Sequence, residues 1–170
     1  SIDLEAARQS QGIVAILTAK DVPGENQIGG IIPDEPLFAE DEVHFRGMAI
    51  ALIVGDSEHH CRQAAKLIKV VYDELPVIVD PREAQAKGKL IVPPRTFRLG
   101  NTTDAWAQCD HVFEGRSDVN GQEHLYIETQ GAYARNKEDG SIVVSSSTQG
   151  PTAVQRTVSR VLGIPMHKIE

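Results

Sequence analysis

Short apolar runs separated by glycine and proline breaks set the rhythm of this chain. Residues 1–9 place Ile2, Leu4 and Ala7 at helical intervals and predict the end of a short helix. Residues 12–17 (GIVAIL) form a compact β-branched run bounded by Gly12 and Thr18, which predicts a buried strand. Residues 18–34 predict a loop, because Pro23-Gly24, Gly29-Gly30 and Pro33 break any periodicity. A second apolar run at 49–54 ends on Gly55 and predicts another buried strand. Residues 57–68 give the best helical pattern. Asp56 or Ser57 can cap it, and Cys61, Ala64, Ala65 and Ile68 fall on one stripe. Its third position is His59 or His60 rather than Glu, so a full capping box is missing. A strand at 70–72 and an extended piece at 76–80 follow, which together suggest a compact α/β unit.

Residues 81–103 change character. Lys87, Gly88, Lys89, Pro93-Pro94 and Gly100-Asn101 read as a crossing between structural units, with Pro93-Pro94 favouring an extended path. Beyond it, 103–109 predicts a short helix capped by Thr103 or Asp104. Residues 111–119 and 123–135 read as extended, interrupted at Asn120-Gly121. Residues 137–140 predict a hairpin turn, with Asp139-Gly140 at the positive-φ positions, and 141–147 is the partner strand. Residues 152–162 predict a second helix with Val154, Val158, Val161 and Leu162 on one face, stopped by Gly163. Residues 165–170 read as the lead-in to a further strand. Both chain ends are abrupt, so the expectation is a piece of a longer chain.

Composition narrows the classes. In 170 residues, 41% are hydrophobic and 5% aromatic, so a globular chain with a mostly aliphatic core is expected. The net charge of −7 argues against nucleic acid and anionic membranes as partners. No apolar run approaches the ~20 residues of a membrane helix, and residues 1–10 lack a secretory h-region. Cys61 and Cys109 lie outside any CxxC and read as reduced thiols in a cytoplasmic protein.

The familiar chemical motifs are weak or absent. Residues 24–30 (GENQIGG) lack the Lys and hydroxyl of a phosphate-binding P-loop, and no G-x-G-x-x-G occurs. His59-His60 are adjacent and diverge on a helix, Cys109-x-His111 has no companion pair, and H-E-x-x-H is missing, so no metal ligands are assigned. No G-x-S-x-G is present, Cys61 sits on an apolar helix stripe, and Ser145-Ser146-Ser147 alternates faces of a strand. Glu123 and Glu128, at odd spacing on one presumed strand, point to opposite faces and cannot pair. No catalytic residue is assigned. The string Ser147-Thr148-Gln149-Gly150-Pro151 is more informative. It joins a strand to a helix start, where anions are favoured, and the Gln149 amide can donate to an oxyanion or oxo group.

Five ordered segments carry a resemblance: GIVAILTAKDVPG from Gly12, DEPLFAEDEVHFRGMAIALIV from Asp34, AAKLIKVVYDELP from Ala64, GQEHLYIETQ from Gly121 and SSTQGP from Ser146. Together they resemble the molybdenum-binding subunit of the xanthine dehydrogenase and aldehyde oxidase hydroxylases. The resemblance implies an α+β chain. An α/β hammerhead domain would occupy 1–90, a linker 91–104, and the first β-rich part of a molybdopterin-binding domain 105–170. It implies hydroxylation of a ring carbon next to nitrogen, or of an aldehyde carbon, with water as oxygen source. Molybdopterin would be the cofactor, with iron–sulfur clusters and FAD on other domains or subunits.

The same resemblance implies that Gln149 of the S-T-Q motif is a cofactor-binding residue, hydrogen-bonding an oxo ligand of molybdenum. Met48-Ala49 stands where many relatives have Gln-Pro. The family's GGxFGG loop, its basic Glu and its substrate-steering Arg are not among these residues, so the chain alone is expected to be inactive. The stretch PGENQIGG favours a xanthine or hypoxanthine-like purine as the parent's substrate. The competing expectation is a stand-alone small α/β binding or interaction domain without catalysis. The two differ in surface: a piece of a larger subunit leaves apolar area bare where its remainder packs.

Overall fold

The computed structural model describes residues 1–127 and 130–170. The chain divides into two units, one made of 1–72 with 127–170 and the other of 73–126. The elements mix helix and strand in an α+β arrangement.

In the first unit, β1 (Ile2–Asp3) pairs antiparallel with β4 (Lys69–Val70), and β2 (Ile13–Leu17) with β3 (Leu52–Gly55). A bulge between Ile13 and Ala15 leaves Val14 turned to solvent. Helices α1 (Glu5–Arg8) and α2 (Glu58–Ala65) lie against the second pair. Leu4, Ala7, Ile16 and Ala64 are buried together, with Ile13, Ala51, Ile53 and Ile68 around them. Of the expected α2 stripe, Cys61, Ala64 and Ile68 face this cluster side, whereas Ala65 is exposed. Ser57 caps α2 by accepting the His60 N–H. The strand expected at 49–54 begins only at Leu52; before it, Ala49 O accepts the Ala39 N–H of the preceding loop.

The loop 18–34 is built on side chains. Asn26 exchanges hydrogen bonds with the Phe38 backbone at 2.8 and 2.9 Å, and Gln27 Oε1 accepts the Gly29 and Glu35 N–H groups. The polar residues of 24–30 therefore hold the loop's own backbone.

The remainder of this unit is a hairpin and a crossover. Strands β5 (Ala132–Asn136) and β6 (Ile142–Ser146) pair antiparallel. Gly140 takes φ +76°, whereas Asp139 keeps a negative φ and instead accepts from the Ser141 N–H and hydroxyl. Helix α5 (Pro151–Leu162) then leads back, and Ile169 forms a parallel bridge with Ile142. The expected strand lead-in at 165–170 thus runs beside β6, closing a β–α–β crossover.

The second unit holds α3 (Pro81–Ala86) and α4 (Thr102–Ala107). α3 lies in the stretch expected to be irregular. Its cap is Asp80, which accepts from Arg82 and Glu83, followed by Pro81 at the first helical position. α4 is capped by Asn101 rather than Thr103 or Asp104. Residues 76–80 and 111–119 are not strands. Their β-formers include Val77, Val79 and Phe113, all more than four-fifths exposed, and among the described residues no neighbouring strand takes up their backbone groups. In this unit only Ile78 and Ala84 are even half-buried. Glu123 is exposed, and Glu128 lies outside the described residues.

Candidate functional site

The candidate site is the connection that leaves the C-terminal end of β6 and enters α5. In crossovers of this kind ligands gather outside the carboxyl ends of the strands, where the next helix begins. Ser147 fixes the strand side. Its N–H donates to Gly131 O, and its hydroxyl oxygen accepts the Gly131 N–H, both at 3.0 Å. The Thr148 hydroxyl accepts the Gly150 N–H at 3.0 Å and tightens the bend. Gln149 stands at the apex of that bend, exposed. The helix start carries no side-chain cap: Gly150 occupies that position and Pro151 follows. No acidic residue lies in the first turn. The partial positive charge of the helix start is therefore left without an acidic side chain, and the exposed Gln149 stands one residue before the cap position at Gly150.

Beneath the bend lies a cleft of about 120 Å³, lined by Ser146, Thr148, Pro151, Gln155 and Ile169 among others. Gln155 projects from α5 and donates to Ile169 O at 2.7 Å and Met166 O at 3.1 Å. Sequence reasoning passed over Gln155. The signal was present: it shares a helix face with Val158, Ser159 and Leu162, three, four and seven residues on, so it is a polar side chain on a stripe otherwise largely apolar.

The far end of α5 is closed by Gly163 in the left-handed conformation, φ +67°, with Ile164 N–H donating to Ser159 O. The loop at 23–25 completes this end. Gly24 N–H donates to Val161 O and Glu25 N–H to Arg160 O, both at 2.9 Å.

Other sequence candidates lie elsewhere. His60 Nδ1 is 2.6 Å from Asp56 Oδ1, and this bond holds the Asp56 carboxyl below its ordinary range. Cys61 is half-buried and Cys109 exposed, both free. Ser145 and Ser147 are exposed and Ser146 is half-buried between them, so the serine run alternates. Among the described residues no group of three or more His, Cys, Asp or Glu side chains could hold a metal, and no helix is long and apolar enough to cross a membrane.

Residues 83–170 match the molybdopterin cofactor-binding domain family, and residues 1–76 match the α/β hammerhead domain of aldehyde oxidase and xanthine dehydrogenase. The chain belongs to the xanthine dehydrogenase and aldehyde oxidase family of molybdenum hydroxylases. It is 42% identical over 173 aligned residues to xanthine dehydrogenase 1 of Arabidopsis thaliana, covering 99% of this chain and 13% of that protein. It is 36% identical to aldehyde oxidase 2 of Cavia porcellus, with 99% and 12% covered. The fold superimposes with TM-score 0.85 on an aldehyde oxidoreductase from Desulfovibrio gigas, at 28% identity, covering 99% of this chain and 21% of that one. The chain thus spans about one eighth of the length of its curated relatives.

The chemistry of the β6–α5 connection suits an anionic cofactor such as molybdopterin. Its residues offer hydrogen-bond donors, a helix start without a side-chain cap and no carboxylate in the first turn to repel an anionic group.

Proposed function

We propose that this chain is part of a molybdenum hydroxylase acting on xanthine- or hypoxanthine-like purines. The observation that carries the reading is the exposed Gln149 amide at the carboxyl end of β6, over the start of α5. In this reading a substrate C–H and one water become C–OH, and two electrons and two protons leave. The bound cofactor would supply the two-electron acceptor. Gln149 would hold it by donating its side-chain amide, and Ser147 and Thr148 keep the bend in place for that donation. Iron–sulfur clusters and FAD on other domains or subunits would take the electrons onward. The purine assignment is supported by the PGENQIGG stretch at 23–30, which resembles xanthine dehydrogenases more than their aldehyde-oxidising relatives.

The same proposal divides the chain into a hammerhead domain at 1–90, a linker at 91–104 and the opening of the cofactor domain from 105. It makes the chain inactive alone and places it in the cytoplasm, which its two free thiols support. The alternative, a self-contained binding domain, is disfavoured by bare apolar side chains such as Ile31, Ile91, Phe97 and Ile127, each at least 88% exposed.

The test is Gln149→Ala in the full-length enzyme. Losing one preorganised donor lowers kcat by about ten- to a hundredfold, somewhat less than at oxyanion sites, with cofactor content and thermal midpoint unchanged. Wild-type kcat in this variant removes Gln149 from the site. Preference of the wild-type enzyme for aldehydes over purines overturns the substrate assignment.

A further inference from the structure

We infer that Gln155 is a positioning residue, which sets the start of α5 and with it the Gln149 amide. The inference rests on the Gln149 reading above and extends it to a second side chain. A neutral amide has two N–H donors, and Gln155 directs Nε2 to two backbone carbonyls, Met166 O and Ile169 O. Those carbonyls belong to the returning segment beside β6. Ile169 is 2% exposed and bridges Ile142, Glu170 N–H donates to Ile142 O at 2.8 Å, and Val144 N–H donates to Glu170 O at 2.7 Å. Gln155 therefore couples the first half of the helix to backbone that is itself hydrogen-bonded to β6.

Among the described residues no other polar side chain ties the helix start to this segment. That start has no side-chain cap, and its first residue, Pro151, has no N–H. The bend itself is pinned on its strand side by Ser147 to Gly131. The apex at Gln149 is thus suspended between two anchors, Ser147 behind and Gln155 ahead. An apolar residue of equal length at 155 fills the same space but leaves Ile169 O without its side-chain donor and Met166 O with the Ile169 N–H alone. The helix start then loses its register on the sheet while the helix itself persists.

The experiment uses the full-length enzyme with Gln155→Met, and Gln155→Asn as a second variant that withdraws the amide by one methylene. Amide hydrogen exchange is followed in the cofactor-free protein, and kcat and KM in the loaded one. In Gln155→Met, exchange at 150–156 speeds by about tenfold or more while the β5–β6 hairpin stays unchanged. kcat falls by roughly tenfold with KM unchanged, since small misplacements of a positioned donor act on rate. Gln149→Ala lowers kcat and leaves exchange at wild-type values.

Unchanged exchange at 150–156, or a rise spread equally over α5, β5 and β6, overturns the positioning role. So does faster exchange with wild-type kcat. If Gln149→Ala keeps wild-type kcat, the Gln149 reading fails and the inference falls with it. If Gln149→Ala is impaired while Gln155→Met exchanges normally, the inference alone fails. Should Gln155→Met not fold, the same readings on Gln155→Asn decide.

Discussion

Glu25 and Arg160, 135 residues apart in sequence, join the two family-matched segments of the chain at the C-terminal end of α5. Arg160 Nε and a terminal guanidinium nitrogen both donate to Glu25 Oε2, at 2.8 and 2.7 Å. The pair lies over two backbone hydrogen bonds from the same loop to the Arg160 and Val161 carbonyls. Those carbonyls are among the last of the helix, which have no partner within it. A loop from the hammerhead segment thus serves as the cap of the helix whose other end carries the Gln149 bend.

The ion pair itself contributes little. Glu25 is 61% exposed and Arg160 30%, so water screens the attraction. A double-mutant cycle with Glu25→Gln and Arg160→Gln gives a coupling energy of about 0.5–1 kcal/mol. The coupling shrinks in 1 M salt, where the screening length is ~3 Å. Coupling above about 3 kcal/mol, the scale of a disrupted buried pair, would show that the site is drier than its exposure indicates.

Gly24 matters more than the charges beside it. A Cβ built there would lie 2.1 Å from Arg160 O, 2.7 Å from Gly163 N and 2.9 Å from Val161 O. All three atoms are backbone and none can swing aside. Gly24→Ala therefore forces the loop off the helix end and costs about 1–3 kcal/mol, measured by denaturant unfolding. Gly30→Ala is the control: nothing lies within 4 Å of its Cβ, and it is expected to be close to neutral. Equal effects of the two substitutions would mean that the close approach at Gly24 does not constrain the fold.

The sequence made the local elements readable and left the long-range ones hidden. The GIVAIL run, helix α2 with its Ser57 cap, the turn at Gly140 and α5 with Gly163 all rest on neighbours a few residues apart, and all appear, although Ala65 of the α2 stripe is exposed. The valines of 76–80 and 111–119 are equally β-like. Strand formation needs a partner, and among the described residues none lies beside them. Helix α3 was legible in Asp80-Pro81, but the prolines and glycines that follow masked it. At the site, Gln149 was legible because its motif is contiguous. Gln155 acts on Met166 and Ile169, 11 and 14 residues away, and Glu25 on Arg160, so neither role follows from local spacing.

Stability against pH follows from four perturbed groups. Hydrogen bonds hold three carboxyls below their ordinary value of about 3.9: from the Thr18 backbone N–H and hydroxyl to Asp21, from His60 to Asp56, and from the Ser141 hydroxyl and N–H to Asp139. Each binds protons more weakly folded than unfolded. Their contribution is complete above the unfolded value and lost as pH falls through the folded ones. Lys137 runs the other way. Its bond to Glu170, at 2.6 Å, raises it above its ordinary value. Its contribution is complete below about 10.4 and lost as pH rises through the folded value. These groups therefore leave stability flat between roughly pH 5 and 9 and reduce it on both sides. Carboxyl titration by NMR checks the acid side. In His60→Ala the Asp56 midpoint rises toward the ordinary range, while the Asp21 and Asp139 midpoints stay low, because their donors are untouched. An unmoved Asp56 midpoint would show that the His60 ring is not what depresses it.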